Sequence, residues 1–168
     1  FGTGALLVAE RDHLAHAFAE DADYLRDRSQ DLDALPDFSS VTTELTREWR
    51  GLRLWLPLHA HGVDAFRDAL DDKLTLAEHA WRQFEADPNL VTFGPPDLTA
   101  VTFRVRGDDH AQDALLERVH QDGRIRLSST VIEGRVVLRL VVLSHRTTRE
   151  TVDLAIRLTR EAAAAVLA

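Results

Sequence analysis

Apolar residues recur along this chain at spacings typical of amphipathic helices and of half-buried strands. Between Val63 and Ala86 they repeat every three or four residues, which predicts a long helix over that range. Between Ala100 and Arg106 apolar and polar residues alternate strictly, which predicts a strand with one buried face. Shorter patterns predict further helices over 10–19, 109–121 and from 147 towards the C-terminus, and strands over 3–8, 125–131 and 135–143.

The stretch from Leu45 to Gly62 organises the first half of the chain. Apolar residues spaced four, three and four residues apart predict a core helix here, namely Leu45, Trp49, Leu52 and Leu56. Three arginines fall on another face of that helix, and we interpret this arginine stripe as solvated or paired. Pro57 donates no backbone hydrogen bond, so we expect it to end or kink the helix near its last turn.

Proline and glycine clusters near residues 88–96 predict a domain boundary, with residues 1–87 on one side and residues 88–168 on the other. The second part has a β-α-β-β-α order, with a hairpin turn expected at Glu133–Gly134 and a capping box of Thr147 and Glu150 opening the last helix. It could stand as a small α/β domain. The first part holds a single strand, which must complete a sheet made elsewhere.

Composition excludes several functional classes. A formal net charge of −8 argues against a nucleic-acid partner, and no run of 18 apolar residues is present to span a membrane. The chain lacks cysteine, so thiolate metal sites are excluded, and no histidine pair has a convincing third metal ligand. One lysine stands against nineteen arginines, a bias typical of a GC-rich bacterial genome. Because the chain starts with Phe1 and contains no methionine, we expect it to be part of something longer.

An acidic and polar stretch from Glu20 to Asp33 predicts a mobile surface loop. It contains Tyr24, the only tyrosine in the sequence. Its ring could simply pack on the adjacent helix.

A motif within the organising stretch carries a resemblance to a known family. It reads Thr46-Arg47, Trp49, then the run from Arg50 to Trp55, with Gly62 after the helix. This pattern resembles the pyridoxal-phosphate-dependent group II amino-acid decarboxylases, which include aromatic-amino-acid and histidine decarboxylases. The resemblance implies an α/β fold, the C-terminal part of a fold-type I enzyme. Residues 1–87 would end the large cofactor-binding domain, and residues 88–168 would form the small C-terminal domain.

The resemblance also implies roles for individual residues. Tyr24 matches the tyrosine of the family's catalytic loop, which protonates the substrate carbon after carbon dioxide leaves. Thr46 matches a position that approaches the cofactor phosphate or the substrate across a dimer interface. His145 and Arg146 match a segment after the last strand, which implies a substrate-binding role for them. The cofactor would be pyridoxal 5′-phosphate, with its Schiff-base lysine upstream of Phe1, since Lys73 matches no catalytic motif; no metal is implied.

The implied protein is a cytoplasmic homodimer that converts a small L-amino acid into an amine and carbon dioxide. This chain would need the N-terminal portion of the same enzyme as its partner, and without the Schiff-base lysine it should be inactive alone. One alternative is a decarboxylating aldehyde synthase on the same scaffold, although such relatives often carry phenylalanine where Tyr24 stands. Another is a non-enzymatic α/β module for binding or oligomerisation.

Overall fold

A computed structural model describes residues 4–18, 38–44 and 46–168. The chain divides into two compact units, Phe1–Gly62 and Val63–Ala168. The first contains helix α1 (Arg11–Phe18), a short 3-10 helix (Phe38–Val41) and helix α2 (Leu52–His61). The second contains three helices and four strands, namely α3 (Val63–Glu85), β1 (Leu90–Thr92), β2 (Ala100–Val105), α4 (Asp109–Asp122), β3 (Ser128–Ile132), β4 (Arg135–Val141) and α5 (Arg149–Leu167).

The first unit differs from its sequence pattern at the predicted strand over residues 3–8. Residues 4–8 do not form a strand, and the side chains of Leu6 and Leu7 are 72% and 96% exposed. The described part of this unit contains no sheet against which the segment could pair. The strand prediction is therefore wrong for the chain as described, because an extended segment needs a neighbouring strand to satisfy its backbone. The predicted helix over 10–19 is confirmed as α1.

Helix α2 is shorter than the predicted core helix and has no buried residue. It starts at Leu52, after a turn in which the Leu52 amide donates to the Trp49 carbonyl at 3.1 Å. Pro57 lies inside it, and the helix continues to His61 before Gly62 ends it at φ 83°. Pro57 therefore does not end the helix, and the alternative of a kink stays a prediction. One proline removes only its own amide from the ladder, and the Gly62 amide still reaches the Leu58 carbonyl at 2.9 Å.

The second unit is built on an antiparallel sheet with strand order β1-β2-β4-β3. Helices α3 and α4 pack against the sheet, and α5 packs against both of these helices. In the core, the rings of Phe84 on α3 and Phe103 on β2 meet with their centroids 4.5 Å apart. The predicted long helix, the alternating strand and the β3–β4 hairpin are confirmed. Strand β1 was not predicted, because its three residues form a strand only by pairing with β2.

Local sequence signals set most element ends in this unit. Asp108 caps α4 by accepting from the Ala111 amide at 3.0 Å. At the hairpin turn Glu133 and Gly134 both have positive φ, 50° and 75°, the conformation that two-residue hairpins favour. The predicted cap of α5 is off by one residue. Thr148, not Thr147, accepts from the Thr151 amide, at 3.4 Å.

Helix α3 belongs to the second compact unit, because it packs on β1, β2 and α5. The compact unit therefore starts at Val63, earlier than the boundary predicted between residues 87 and 88. That predicted boundary concerns the domains of a complete enzyme and stays a prediction.

Candidate functional site

Thr46 lies in the turn segment that precedes α2, and its side chain is exposed. Its hydroxyl forms no hydrogen bond to any residue that the structure describes. Charged and aromatic groups lie close to it along the chain. The Arg47 guanidinium sits 5.9 Å from the centroid of the Phe38 ring, and one Arg50 nitrogen reaches both carboxylate oxygens of Glu44, at 3.0 and 3.2 Å. The segment thus carries an exposed hydroxyl that is close in sequence to the Arg47 and Arg50 guanidinium groups.

Neighbouring aromatic rings contact one another from this segment along α2, namely those of Trp49, Trp55 and His59. The Trp49 and Trp55 rings lie 6.1 Å apart, and the Trp55 and His59 rings stack 4.9 Å apart at an interplanar angle of 7°. The spacing of four residues between Trp55 and His59 places them on one face of the helix. Both tryptophans are more than half exposed, 68% and 51%. The predicted arginine stripe is paired in part, since Arg50 contacts Glu44 and Arg53 contacts Glu48 at 3.8 Å.

His145 and Arg146 lie side by side in the connection between β4 and α5, and both are exposed. A tight turn holds their backbone. The Thr147 amide donates to the Ser144 carbonyl at 3.0 Å, and the Arg146 amide donates to the Ser144 hydroxyl at 3.2 Å. These residues belong to the second compact unit, whereas Thr46 belongs to the first. Tyr24 lies outside the described residues.

Two polar contacts join α3 to the start of α5, and the sequence analysis missed both. Lys73 donates to the Thr147 carbonyl at 2.6 Å, and His79 pairs with Asp153 at 2.7 Å. The His79 hydrogen bond lowers the pKa of the Asp153 carboxyl, an effect that the Arg149 charge reinforces. A signal for Lys73 was present, because it falls at the spacing of the buried stripe of α3, four residues before Ala77 and seven before Ala80.

No group of three or more histidine, aspartate or glutamate side chains in the described ranges could hold a metal ion. No described helix is both long and apolar enough to cross a membrane. A surface depression of about 260 Å³ lies where α3 meets β1, with Glu85 and Arg106 in its lining. It contains none of the predicted site residues.

Comparison with known proteins decides the family. Residues 1–106, more than half of the chain, match the family described as the pyridoxal-dependent decarboxylase conserved domain. This chain belongs to that family. The matched range includes Tyr24 and Thr46, whereas His145 and Arg146 lie beyond it.

Individual decarboxylases resemble the chain over much of its length. Tryptophan decarboxylase 2 of Oryza sativa subsp. japonica is 29% identical over 139 residues, which cover 79% of this chain and 28% of that protein. An aromatic-L-amino-acid decarboxylase of Bacillus atrophaeus is 32% identical over 106 residues, which cover 62% of this chain and 22% of that protein. The chain therefore spans about a quarter of the length of the curated relatives it matches.

Solved structures confirm the predicted fold. The crystal structure of Oryza sativa TDC with PLP and tryptamine matches with a TM-score of 0.82 at 22% identity, over 92% of this chain and 34% of that one. The structure of Catharanthus roseus tryptophan decarboxylase in complex with L-tryptophan matches with a TM-score of 0.78 at 24% identity, over 90% of this chain and 33% of that one. The predicted family and the predicted fold-type I origin of this α/β segment are thus confirmed.

The residues present suit one end of the family's cofactor. The exposed Thr46 hydroxyl is suited to a phosphate, which accepts hydrogen bonds from hydroxyl donors, whereas the Arg50 guanidinium already pairs with the Glu44 carboxylate. The aldehyde of the cofactor needs an accessible amine. Lys73, the only lysine of the sequence, does not suit it, because the residue is 6% exposed and its ammonium donates to Asp72 and to the Thr147 carbonyl. Among the residues that the structure describes, the fit is therefore to the phosphate alone.

Proposed function

We propose that this chain is the C-terminal segment of a pyridoxal-phosphate-dependent L-amino-acid decarboxylase, which releases carbon dioxide and an amine. The family match over residues 1–106 carries the proposal. The fold likeness over nine-tenths of the chain supports it. An upstream portion of the same protein supplies the Schiff-base lysine. We further propose a cytoplasmic bacterial homodimer, in which the domains divide between residues 87 and 88.

Each predicted site residue has one task in this proposal. Thr46 donates a hydrogen bond from its hydroxyl to the cofactor phosphate, and its exposure and lack of a described partner support that task. Bound pyridoxal phosphate supplies an electron sink for the electron pair left when carbon dioxide departs. Tyr24 then delivers the proton to the substrate carbon. His145 and Arg146 contribute positive charge or hydrogen-bond donors to the substrate carboxylate.

A second candidate is a decarboxylating aldehyde synthase, which would consume oxygen and water and release carbon dioxide, an aldehyde, ammonia and hydrogen peroxide instead of carbon dioxide and the amine. Relatives on the same scaffold carry that name. A 3,4-dihydroxyphenylacetaldehyde synthase of Aedes aegypti is 26% identical over 119 residues, and the structure of a Rhodiola rosea 4-hydroxyphenylacetaldehyde synthase matches with a TM-score of 0.73. The tyrosine at position 24 favours the amine as product, because it can supply the proton that the amine requires.

The experiment uses the full-length protein that contains this chain, loaded with pyridoxal phosphate. It is incubated with a panel of L-amino acids that starts with the aromatic ones, because the curated relatives are named for them. Carbon dioxide, amine, aldehyde and ammonia are measured together. We expect carbon dioxide and amine in equal amounts. Aldehyde with ammonia would favour the second candidate, and no carbon dioxide from any amino acid would overturn the proposal.

Matched variants at Thr46 test the phosphate contact separately. Thr46→Val keeps the shape and removes the hydroxyl, whereas Thr46→Ser keeps the hydroxyl. A hydrogen bond to a charged group is worth about 1.5–3 kcal/mol, so Thr46→Val should weaken cofactor binding about 10- to 100-fold. Thr46→Ser should bind the cofactor nearly as the wild type does. Equal cofactor affinity in Thr46→Val and the wild type would remove Thr46 from the cofactor site.

A further inference from the structure

Lys73 occupies an unusual place in the second unit. It lies in the middle of α3 and is 6% exposed, although it is the only lysine in the sequence. Its ammonium donates to the Thr147 carbonyl at 2.6 Å and to an Asp72 carboxylate oxygen at 2.7 Å. Thr147 is distant in the chain, so the contact joins the helix to the segment that leads into α5.

The surroundings of the Lys73 ammonium do not by themselves stabilise a positive charge. A buried charge loses its hydration, and the loss is offset only when the charge is paired and hydrogen-bonded. The start of α5 also carries the positive end of its helix dipole, which disfavours a nearby cation. The contact with Asp72 offsets part of that cost. Since an apolar side chain could fill the same position, packing alone gives no reason for an ammonium there.

The Thr147 carbonyl is where the ammonium has a specific effect. Thr147 closes the tight turn that starts at Ser144, and the turn carries His145 and Arg146. Leu143, Ser144, His145 and Arg146 are all exposed, so packing does little to hold the turn. The next residue, Thr148, caps α5. A donor fixed on α3 therefore anchors the turn at the point where it joins a rigid helix.

We propose that Lys73 is a positioning residue, which holds the 144–147 turn through the Thr147 carbonyl and thereby fixes the backbone that bears His145 and Arg146. The effect on the substrate rests on the decarboxylase function proposed above. The hold on the turn does not depend on it, so the two are tested separately.

Hydrogen exchange in the full-length protein tests the hold on the turn. Lys73→Met keeps the length of the side chain and removes its donors. We expect the amides of residues 144–150 to exchange about ten- to a hundredfold faster, because a charge-assisted hydrogen bond is lost, while the amides of β2 remain as in the wild type. Lys73→Arg should restore most of the protection. Asp72→Asn is the matched control, since it leaves the Thr147 contact in place and should leave the turn protected.

Chemical labelling measures the accessibility of Lys73 in the wild-type protein, so it does not depend on the folding of a variant. Lys73 is the only lysine that a labelled peptide of this chain can contain, so the modified site is unambiguous. In the wild type its amine should react with an acylating reagent at least about tenfold more slowly than an exposed lysine, because it must leave the Thr147 carbonyl first. Labelling as fast as a free lysine would overturn the proposal. So would wild-type exchange of the turn in Lys73→Met, or equal loss of protection in Asp72→Asn.

Steady-state kinetics separate positioning from general stability. A merely structural role would lower the amount of active enzyme and leave KM unchanged. Positioning of the turn predicts that Lys73→Met raises KM for the amino acid about tenfold, with kcat within about twofold, and that Lys73→Arg restores KM. An unchanged KM in a decarboxylating Lys73→Met enzyme would overturn the link to the substrate. If the wild type forms no carbon dioxide, the proposed function fails. Hydrogen exchange and lysine labelling then still decide whether Lys73 holds the 144–147 turn.

Discussion

Gln112 provides the sharpest test of how the second unit is held together. The side chain lies on α4 and is fully buried. Its oxygen accepts from the Val105 amide at 2.8 Å, and its nitrogen donates to the Val105 carbonyl at 2.9 Å and to the Asp108 carbonyl at 3.0 Å. The β4 pairing of β2 extends only as far as Phe103 and Leu138. Gln112 therefore takes the place of a strand partner at the end of β2.

The cost of removing this amide follows from the groups that it satisfies. Gln112→Met keeps a similar length and volume and leaves the Val105 amide and carbonyl without partners in a dry environment. Each unsatisfied buried group costs about 1–3 kcal/mol, so we expect a local loss of about 2–5 kcal/mol. At about 1.4 kcal/mol for each factor of ten, the amides at the end of β2 should exchange about 30- to 3000-fold faster.

The assay is hydrogen exchange of the full-length protein, read on peptides that cover β2. Gln121→Met is the matched control, because Gln121 lies on the same helix and its contact with Glu117 is exposed. That variant should change exchange of β2 by less than about twofold, as surface substitutions usually do. If Gln112→Met behaves like Gln121→Met, then the hydrogen bonds to Val105 do not hold the end of β2 and the reasoning is refuted.

Three further predictions follow from the site and from the exposed surfaces. Tyr24→Phe in the full-length enzyme should leave cofactor binding intact and lower amine formation about a hundredfold, the usual contribution of one general acid, with aldehyde rising; wild-type amine yield would exclude the role. The Asp153 carboxyl has its pKa below the ordinary 3.8, so its contribution to folding stability is present above pH 3.8 and is lost as the pH falls through the lowered value. In Asp153→Asn, the loss of helical ellipticity on acidification should therefore depend less steeply on pH than in the wild type. Residues 1–168 expressed alone should bind a hydrophobic dye, whereas weak binding with one cooperative melt would favour a self-sufficient module.

Most of the second unit was predictable because its signals are local. Alternation over 100–106, the cap at Asp108 and the turn at Glu133–Gly134 each act within a few residues, and the structure has all three. What was missed depends on distant partners. Strand β1 exists through its pairing with β2, and Gln112 matters because it faces Val105. A sequence pattern does not show which groups the fold brings opposite each other.

The candidate site was predictable from the sequence only as a set of separate residues. The motif around Thr46 identified the family, which the match over residues 1–106 confirmed. Its spacing specified neither the exposed hydroxyl nor the pairing of Arg50 with Glu44. The roles of Tyr24, Thr46, His145 and Arg146 stay predictions. For Lys73 the stripe spacing indicated burial, and only the structure shows the Thr147 carbonyl as its acceptor.

Helix α2 shows why a correct pattern can give a wrong environment. Its apolar residues have the spacing of a core helix, yet Trp55 is 51% exposed, and its described ring contacts are with Trp49 and His59. Hydrophobic spacing reflects burial in the complete protein, whereas this chain spans about a quarter of the length of its curated relatives. The difference between the predicted and the observed burial of α2 is therefore what we expect if further parts of the proposed enzyme cover it. The second unit has its own sheet and its own core, so its predicted and observed burial agree more closely.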